Sequence, residues 1–241
     1  MATPRIFHPS PIGKQKMIEL SESAVAHLVR VLRMGPGAPL LLFDGQGQEY
    51  EAQLHSTSKK SATAEITRVV RQEPEPALTL HLGQVISKGE RMDFTIQKAT
   101  ELGISEITPL WSQRCEVRLN QERLQKKCEH WQKVAQSACE QSGRCRVPTI
   151  HPPKTLSQWT EATQAESKLV LHPHNQKPLR EQTAPNSLAL LVGPEGGFTE
   201  EEIRQCQQHG FDGLTLGPRV LRTETAALAA LAVLQYQWGD F

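Results

Sequence analysis

No two of the five cysteines, Cys115, Cys128, Cys139, Cys145 and Cys206, form a Cys-x-x-Cys pair. Their odd number and scattered spacing argue against a disulfide framework and against a zinc site, and they fit a reducing cytoplasm. The chain also lacks any apolar run of membrane-spanning length. Met1 to Ser10 contain Pro4, Arg5 and His8 rather than the apolar stretch of a secretory signal, so no membrane is expected as a partner. There is no Gly-x-Gly-x-x-Gly after a strand and no Gly-Lys-Ser/Thr phosphate loop, which disfavours dinucleotide and nucleoside triphosphate chemistry. The nine histidines show no His-Glu-x-x-His or similar spacing; His172-Pro173-His174 reads as a loop, and no metal is expected. No internal repeat or low-complexity tract is found.

What is present is the composition of an ordinary globular protein, with 38% apolar and 22% charged residues, 16 Gly and 16 Pro. A length of 241 residues accommodates two small domains, each with its own core. The formal net charge of +1 hides an asymmetry about the stretch Glu73-Pro74-Glu75-Pro76. Residues 1–72 carry 9 Lys+Arg against 6 Asp+Glu, and residues 73–241 carry 18 against 20. The front part is mildly basic, the sign that attracts a phosphate backbone.

Before residue 73 the texture is that of short strands and turns. Leu40 to Phe43, Asp44-Gly45-Gln46-Gly47 and Tyr50 to Leu54 spell a β-hairpin with an Asp-Gly turn. Between Ser21 and Met34, Ala24, Leu28, Val31 and Leu32 recur at helical spacing, with Arg30 and Arg33 on a different side. From Leu78 onwards strands and helices alternate, predicting an α/β domain with a mainly parallel sheet. Strands are expected at Leu78 to Ile86, Ile107 to Trp111, Leu169 to Leu171, Leu188 to Val192 and Leu214 to Leu216. Ser87 with Glu90 predicts a capping-box helix start, and Gln121 to Gln141 an amphipathic helix stopped by Gly143. Trp111, Trp131, Trp159 and Trp238 are expected in the core or an interface rather than as base-stacking platforms.

Two segments carry the chemistry. In the first, the strand Leu188 to Val192 runs into Gly193-Pro194-Glu195-Gly196-Gly197. A helix follows whose start is fixed by a Thr199/Glu202 capping box and a Phe198/Ile203 staple. The glycines let backbone approach a ligand at the carboxyl end of a strand, where open α/β sheets place their binding crevice. The second, Leu214 to Leu228, repeats the logic with a strand, Gly217-Pro218, Arg219, Arg222 and Glu224, and a helix opened by Thr223 or Thr225. Two such turns suggest one shared pocket. Taken singly, each is also compatible with a purely structural tight turn or a solvated charged face.

At these segments the chain resembles the SPOUT class of methyltransferases, and within it the ribosomal small-subunit methyltransferase E family, which methylates N3 of a uridine in 16S rRNA. The resemblance covers nearly the whole chain. It is carried by Arg5-Ile-Phe-His8, His27-Leu-Val-Arg-Val-Leu-Arg33, Glu101-Leu-Gly-Ile104, Ile107-Thr-Pro-Leu110, Gly193-Pro-Glu-Gly-Gly197 and Leu216-Gly-Pro-Arg-Val-Leu-Arg-Thr-Glu-Thr225. It implies a PUA-like RNA-binding β-barrel over residues 1–72 and a SPOUT methyltransferase domain over 73–241, with a C-terminal trefoil knot. It further implies a homodimer with active sites at the interface and S-adenosyl-L-methionine as cofactor. The cofactor would be held among loops matching Leu171, His172 and Pro173, then Gly193, Pro194 and Gly196, then Leu216, Gly217, Val220, Leu221 and Thr223.

Methyl transfer to a uracil ring nitrogen is easier once the ring proton has gone. Arg222, with Arg219, is expected to stabilise charge developing on the uracil carbonyl oxygens, and Glu195 or Glu224 to take the proton; the sequence does not rank the two carboxylates. Arg5, Arg30, Arg33 and Arg114 are the candidate phosphate-binding residues for 16S rRNA, within the small ribosomal subunit. The alternatives are a noncatalytic RNA-binding or ribosome-assembly protein on the same fold, and a methyltransferase acting on a small molecule.

Overall fold

The structure, a computed structural model, describes residues 3–117, 120–172, 179 and 183–241. It divides into two compact units, Met1–Glu75 with Gln136–Val147, and Pro76–Ala135 with Pro148–Phe241. The chain therefore crosses between units at the Glu-Pro-Glu-Pro stretch and again along the segment that follows Ala135.

In the first unit, β1 (Arg5–Phe7), β2 (Met17–Glu19), β3 (Pro39–Phe43), β4 (Gln48–Thr57) and β5 (Ala62–Gln72) form one sheet in the order β1-β3-β4-β5-β2. The expected hairpin is β3–β4. Asp44 Oδ1 accepts the amides of Gln46 (2.9 Å) and Gln48 (3.3 Å), and Gly45 and Gly47 take φ of 75° and 105° that other residues avoid. The helical stripe at 21–34 departs from expectation. Ser21 caps α1 (Glu22–Val25), which passes into a π-helix, Ala26–Val31. The wider i→i+5 turn shifts the phase of the stripe, so Ala24, Val25 and Leu28 are buried while Val31 (68%) and Leu32 (42%) face outward. The segment ends at Arg33 with φ 55°, a left-handed conformation costly for a non-glycine residue.

In the second unit, β6 (Thr79–Val85), β7 (Glu106–Trp111), β8 (Thr149–Ile150), β10 (Ser167–Leu171), β11 (Ser187–Val192) and β12 (Asp212–Leu214) are ordered β12-β10-β11-β6-β7-β8. A further short strand, β9 (Lys154–Thr155), pairs with β7. Every pair in this sheet is parallel. A parallel sheet is buried on both faces, which explains the unbroken apolar run Leu188 to Val192. Leu188, Leu190 and Val192 join a core with α2 (Arg91–Glu101), α3 (Gln121–Ser142) and α6 (Thr223–Trp238). Ala189 and Leu191 face α4 (Leu156–Ala162) and α5 (Glu200–Gln208). Gly83 is glycine for a packing reason, since a Cβ there would lie 2.6 Å from the Trp159 ring. Trp131 and Trp159 are core residues, as expected.

One helix start differs from the sequence reading. Ser87 does not cap α2, which begins four residues later with Glu90 at a cap position that makes no side-chain bond. Gly89 at φ 64° turns the chain first, and the Ser87 hydroxyl is left buried without a partner.

Candidate active site

From β6 the chain moves outward through β7 to β8, then returns on the other side to β10 and β12, with β11 between β10 and β6. The reversal puts the topological switch point between β6 and β11, and open parallel sheets place their binding crevice at the carboxyl ends of the strands at such a point. Three segments leave this edge: Leu171-His172, Gly193 to Phe198 and Thr215 to Arg222. The first and third are tied together, since the His172 amide donates to Leu214 O (3.1 Å) and the Thr215 hydroxyl to His172 O (3.2 Å). Pro173 lies outside the described residues.

The two Gly-Pro turns are joined at Thr223. Its hydroxyl donates to Gly193 O at 2.6 Å and accepts from Gln84 Nε2 at 2.9 Å, which links β6, β11 and the start of α6. Thr223 is thus the first residue of α6, but its hydroxyl serves the turn across the crevice instead of capping the helix; Arg222 is the cap residue and makes no side-chain bond there. The Thr199/Glu202 capping box is present, and Phe198 and Ile203 share one apolar cluster. Glu202 also accepts the Gln113 amide at 2.7 Å, and Arg114 holds Gly196 O at 2.8 Å, so the glycine turn is braced from outside.

Glu195 and Glu224 come together on a residue the sequence reading missed. Arg91, the first residue of α2, pairs with Glu195 at 2.6 Å and lies 4.0 Å from Glu224. Glu195 is 41% exposed, whereas Glu224 is 13% exposed and its Oε2 is buried without a donor. Arg219, Val220 and Arg222 are exposed on the loop before α6, while Leu171, Leu216 and Leu221 are half-buried and Pro194 is buried. Gly217 takes φ 79° with open space at its Cβ position. Of the candidate phosphate-binding residues, Arg30, Arg33 and Arg114 are exposed. Arg5 is a correction: it pairs with Glu49 at 2.5 Å, donates to Cys139 O at 2.6 Å and stacks 4.6 Å from the Phe43 centroid. At 14% exposure its guanidinium is committed to its own unit and has no free fork for a phosphate.

Among the described residues, four buried side-chain polar atoms have no hydrogen-bond partner: Gln84 Oε1, Ser87 Oγ, Ser112 Oγ and Glu224 Oε2. Gln84 and Ser87 lie at the end of β6, Ser112 follows β7, and Glu224 is in the first turn of α6. An unsatisfied buried polar group costs about 1–3 kcal/mol, so such a cluster on one edge is what a polar ligand would satisfy. Cys115, close by, is no nucleophile: its Sγ reaches Ile86 O at 3.5 Å, and burial pushes its thiol above the ordinary value. Of the missed residues, Gln84 carried a signal as a polar side chain inside the apolar run Leu80 to Ile86. Arg91 carried one too, in a strand, glycine turn and helix sequence like that of the two recognised turns.

Elsewhere in this unit, His81, Glu106 and His151 bring one donor atom each within 4.8 Å of one another, the set among the described residues that could hold a metal ion. Burial holds the His81 imidazole down at about 4, against the opposing pull of Glu106.

Comparison with known proteins bears on both units. Residues 73–235 match the RNA methyltransferase domain family, and residues 20–67 the RNA methyltransferase PUA domain. The ribosomal RNA small subunit methyltransferase E of Buchnera aphidicola (from Schizaphis graminum) is 36% identical over 239 residues, covering 98% of this chain and 97% of that protein. The chain belongs to the ribosomal RNA small subunit methyltransferase E family. Among solved structures, a Legionella pneumophila methyltransferase in complex with bound SAM superposes with a TM-score of 0.95 at 43% identity, with both chains fully covered. The family's Neisseria gonorrhoeae member bound to S-adenosyl methionine gives 0.92 at 40%, again over both whole chains. The α/β class, the PUA-like front domain and the RNA methyltransferase family expected from the motifs are therefore those of this protein.

Proposed function

We propose that this protein methylates N3 of a specific uridine in 16S rRNA of the small ribosomal subunit, using S-adenosyl-L-methionine, in the cytoplasm. The observation that carries the reading is the Gln84–Thr223–Gly193 chain, which ties the first Gly-Pro turn to the helix start that follows the second, at an edge where Gln84 Oε1, Ser87 Oγ, Ser112 Oγ and Glu224 Oε2 are unpartnered. Leu171, His172, Gly193, Pro194, Gly196, Leu216, Gly217, Val220, Leu221 and Thr223 would hold the cofactor, with Pro173 beside them in sequence. The same reading has the C-terminal segment threaded as a trefoil knot. The relatives with bound S-adenosyl methionine support this cofactor, which when present supplies an electrophilic methyl group on a cationic sulfur.

The residues around the methyl group divide the remaining work. Glu224 is the better placed general base, because its Oε2 has no hydrogen-bond donor and its Oε1 stands 4.0 Å from Arg91, whereas Glu195 holds the same guanidinium directly at 2.6 Å. Arg222, with Arg219 beside it, stabilises charge on the uracil oxygens; both are exposed and extend from the loop before α6. Arg30, Arg33 and Arg114 hold phosphates. Arg30 and Arg33 flank the outward Val31 and Leu32 on a π-helix and a strained turn, irregularities that concentrate at functional sites.

A homodimer completes the reading. α2 and α6 pack together, and Phe94, Val233, Tyr236 and Phe241 are apolar side chains left exposed. No helix among the described residues is long and apolar enough to cross a membrane.

The test combines cells and enzyme. In 16S rRNA from cells lacking the protein, mass spectrometry of nucleosides should find one methyluridine missing; a complete modification profile would refute the assignment. In vitro, Arg222→Ala and Glu224→Gln should each lower turnover by about 100-fold or more with cofactor affinity nearly unchanged. Glu195→Gln should cost much less, and the reverse order would exchange the two carboxylates' roles.

A further inference from the structure

Near the amino ends of β6 and β7, on the face of the sheet covered by α4, three side chains converge that methyl transfer does not use. His81 on β6 stands in register with Glu106 on β7, and His151 directly follows β8, which pairs with the other side of β7. We propose that His81, Glu106 and His151 form a binding site for a divalent transition-metal ion, with zinc the ion of best fit and a fourth position open to water.

The donor set is the first argument. Two imidazoles and one carboxylate are ligands that zinc accepts, whereas magnesium and calcium prefer all-oxygen sites. Geometry is the second. His151 Nε2 lies 2.6 Å from Glu106 Oε2, and His81 Nδ1 is 4.0 Å from the same oxygen. Ligands about 2.1 Å from a tetrahedral ion stand about 3.4 Å apart, so the observed distances straddle the required one and small rotations reach it. The backbone that carries the donors is fixed by the parallel ladder and by the His151 amide, which donates to Ile107 O at 2.9 Å. Their side chains are 22–39% exposed, so an ion can enter from solvent.

The third argument is the outer partner. Zinc-ligating histidines hold their second ring nitrogen in a hydrogen bond, and His81 Nε2 is 2.8 Å from Thr108 Oγ1. Trp159 Nε1 also faces that Nε2, at 3.3 Å. Only the tautomer with its proton on Nδ1 can accept from the indole. An ion on Nδ1 selects the other tautomer, whose Nε2 proton goes to the Thr108 hydroxyl, and Trp159 loses its acceptor. Among the charges that face His81, Glu106 favours a cation there, His151 and Lys154 oppose one, and Lys154 is exposed.

Full-length protein stripped with a chelator is titrated with zinc chloride alone in neutral buffer. One zinc ion per chain should bind with micromolar affinity or better, at least roughly tenfold weaker in Glu106→Gln and in His151→Ala. Both changes are at the half-exposed rim and leave no core cavity. In nitrogen-15-labelled protein the Trp159 indole resonance should shift as zinc fills the wild-type site, and in both variants the shift should need roughly tenfold more zinc or more. Absence of binding, equal binding by the variants, or a stationary Trp159 resonance overturns the proposal. None of these outcomes depends on methyl transfer, so failure here and failure of the catalytic reading remain separate.

Discussion

Arg5 looks, in the sequence, like any basic residue near the start of an RNA-binding domain. Folded, it spends its guanidinium on Glu49 and on the carbonyls of Cys139, Glu140 and Arg144, within a unit that includes Gln136–Val147. Removing one member of a nearly buried pair strands the other, so Arg5→Ala should destabilise the protein by about 3 kcal/mol in urea unfolding. Its effect on RNA binding should be confined to stability: the salt slope of RNA affinity should stay at the wild-type value, whereas Arg30→Ala with Arg33→Ala should lower it by roughly one per lost phosphate contact. A flattened slope in Arg5→Ala would return this residue to the RNA surface. Thr223 shows the same principle at the crevice, where a hydroxyl that reads as a helix cap is used across space instead.

At the scale of elements, β6 serves two neighbours at once. Leu80 and Leu82 enter the core with α2 and α6, while Gly83 admits the Trp159 ring of α4 on the opposite face. Adding one methyl group there overpacks an interior with no room to yield, and Gly83→Ala should cost about 1–3 kcal/mol in thermal or urea unfolding. An unchanged midpoint would mean that α4 can lift away from the sheet. β6, β7, β10, β11 and the helix α5 were legible because their signals are local: apolar runs, a capping box, a staple; the two-residue strands β8 and β9 carry no such signal, and β12 lies at Asp212–Leu214, two residues before the expected Leu214 to Leu216. The π-helix at Ala26–Val31 was not, since the spacing of Ala24, Leu28, Val31 and Leu32 is equally good for an α-helix. What decides between them is which side chains the sheet beneath can accommodate.

For the whole molecule, the exposed Tyr236 (77%) and Val233 on α6, with Phe94 on α2, form the surface on which the proposed dimer depends. Tyr236→Asp should shift the protein from dimer to monomer in analytical ultracentrifugation and lower methyl transfer in parallel, because the proposed active sites lie at the interface. A fully active monomer would separate catalysis from assembly. By itself the amino-acid sequence determined the α/β class, four of the parallel strands and the helices α3 and α5 of the second unit, and the two Gly-Pro turns, all of which are written in periodicity and turn chemistry between near neighbours; β8, β9 and α4, between α3 and β10, were not among them. Only the tertiary structure decided that Arg91 joins Glu195 to Glu224, that Gln84 reaches Thr223, and that His81, Glu106 and His151 meet. A parallel sheet takes its adjacent strands from distant parts of the chain, so contacts across it leave no spacing for a sequence to display.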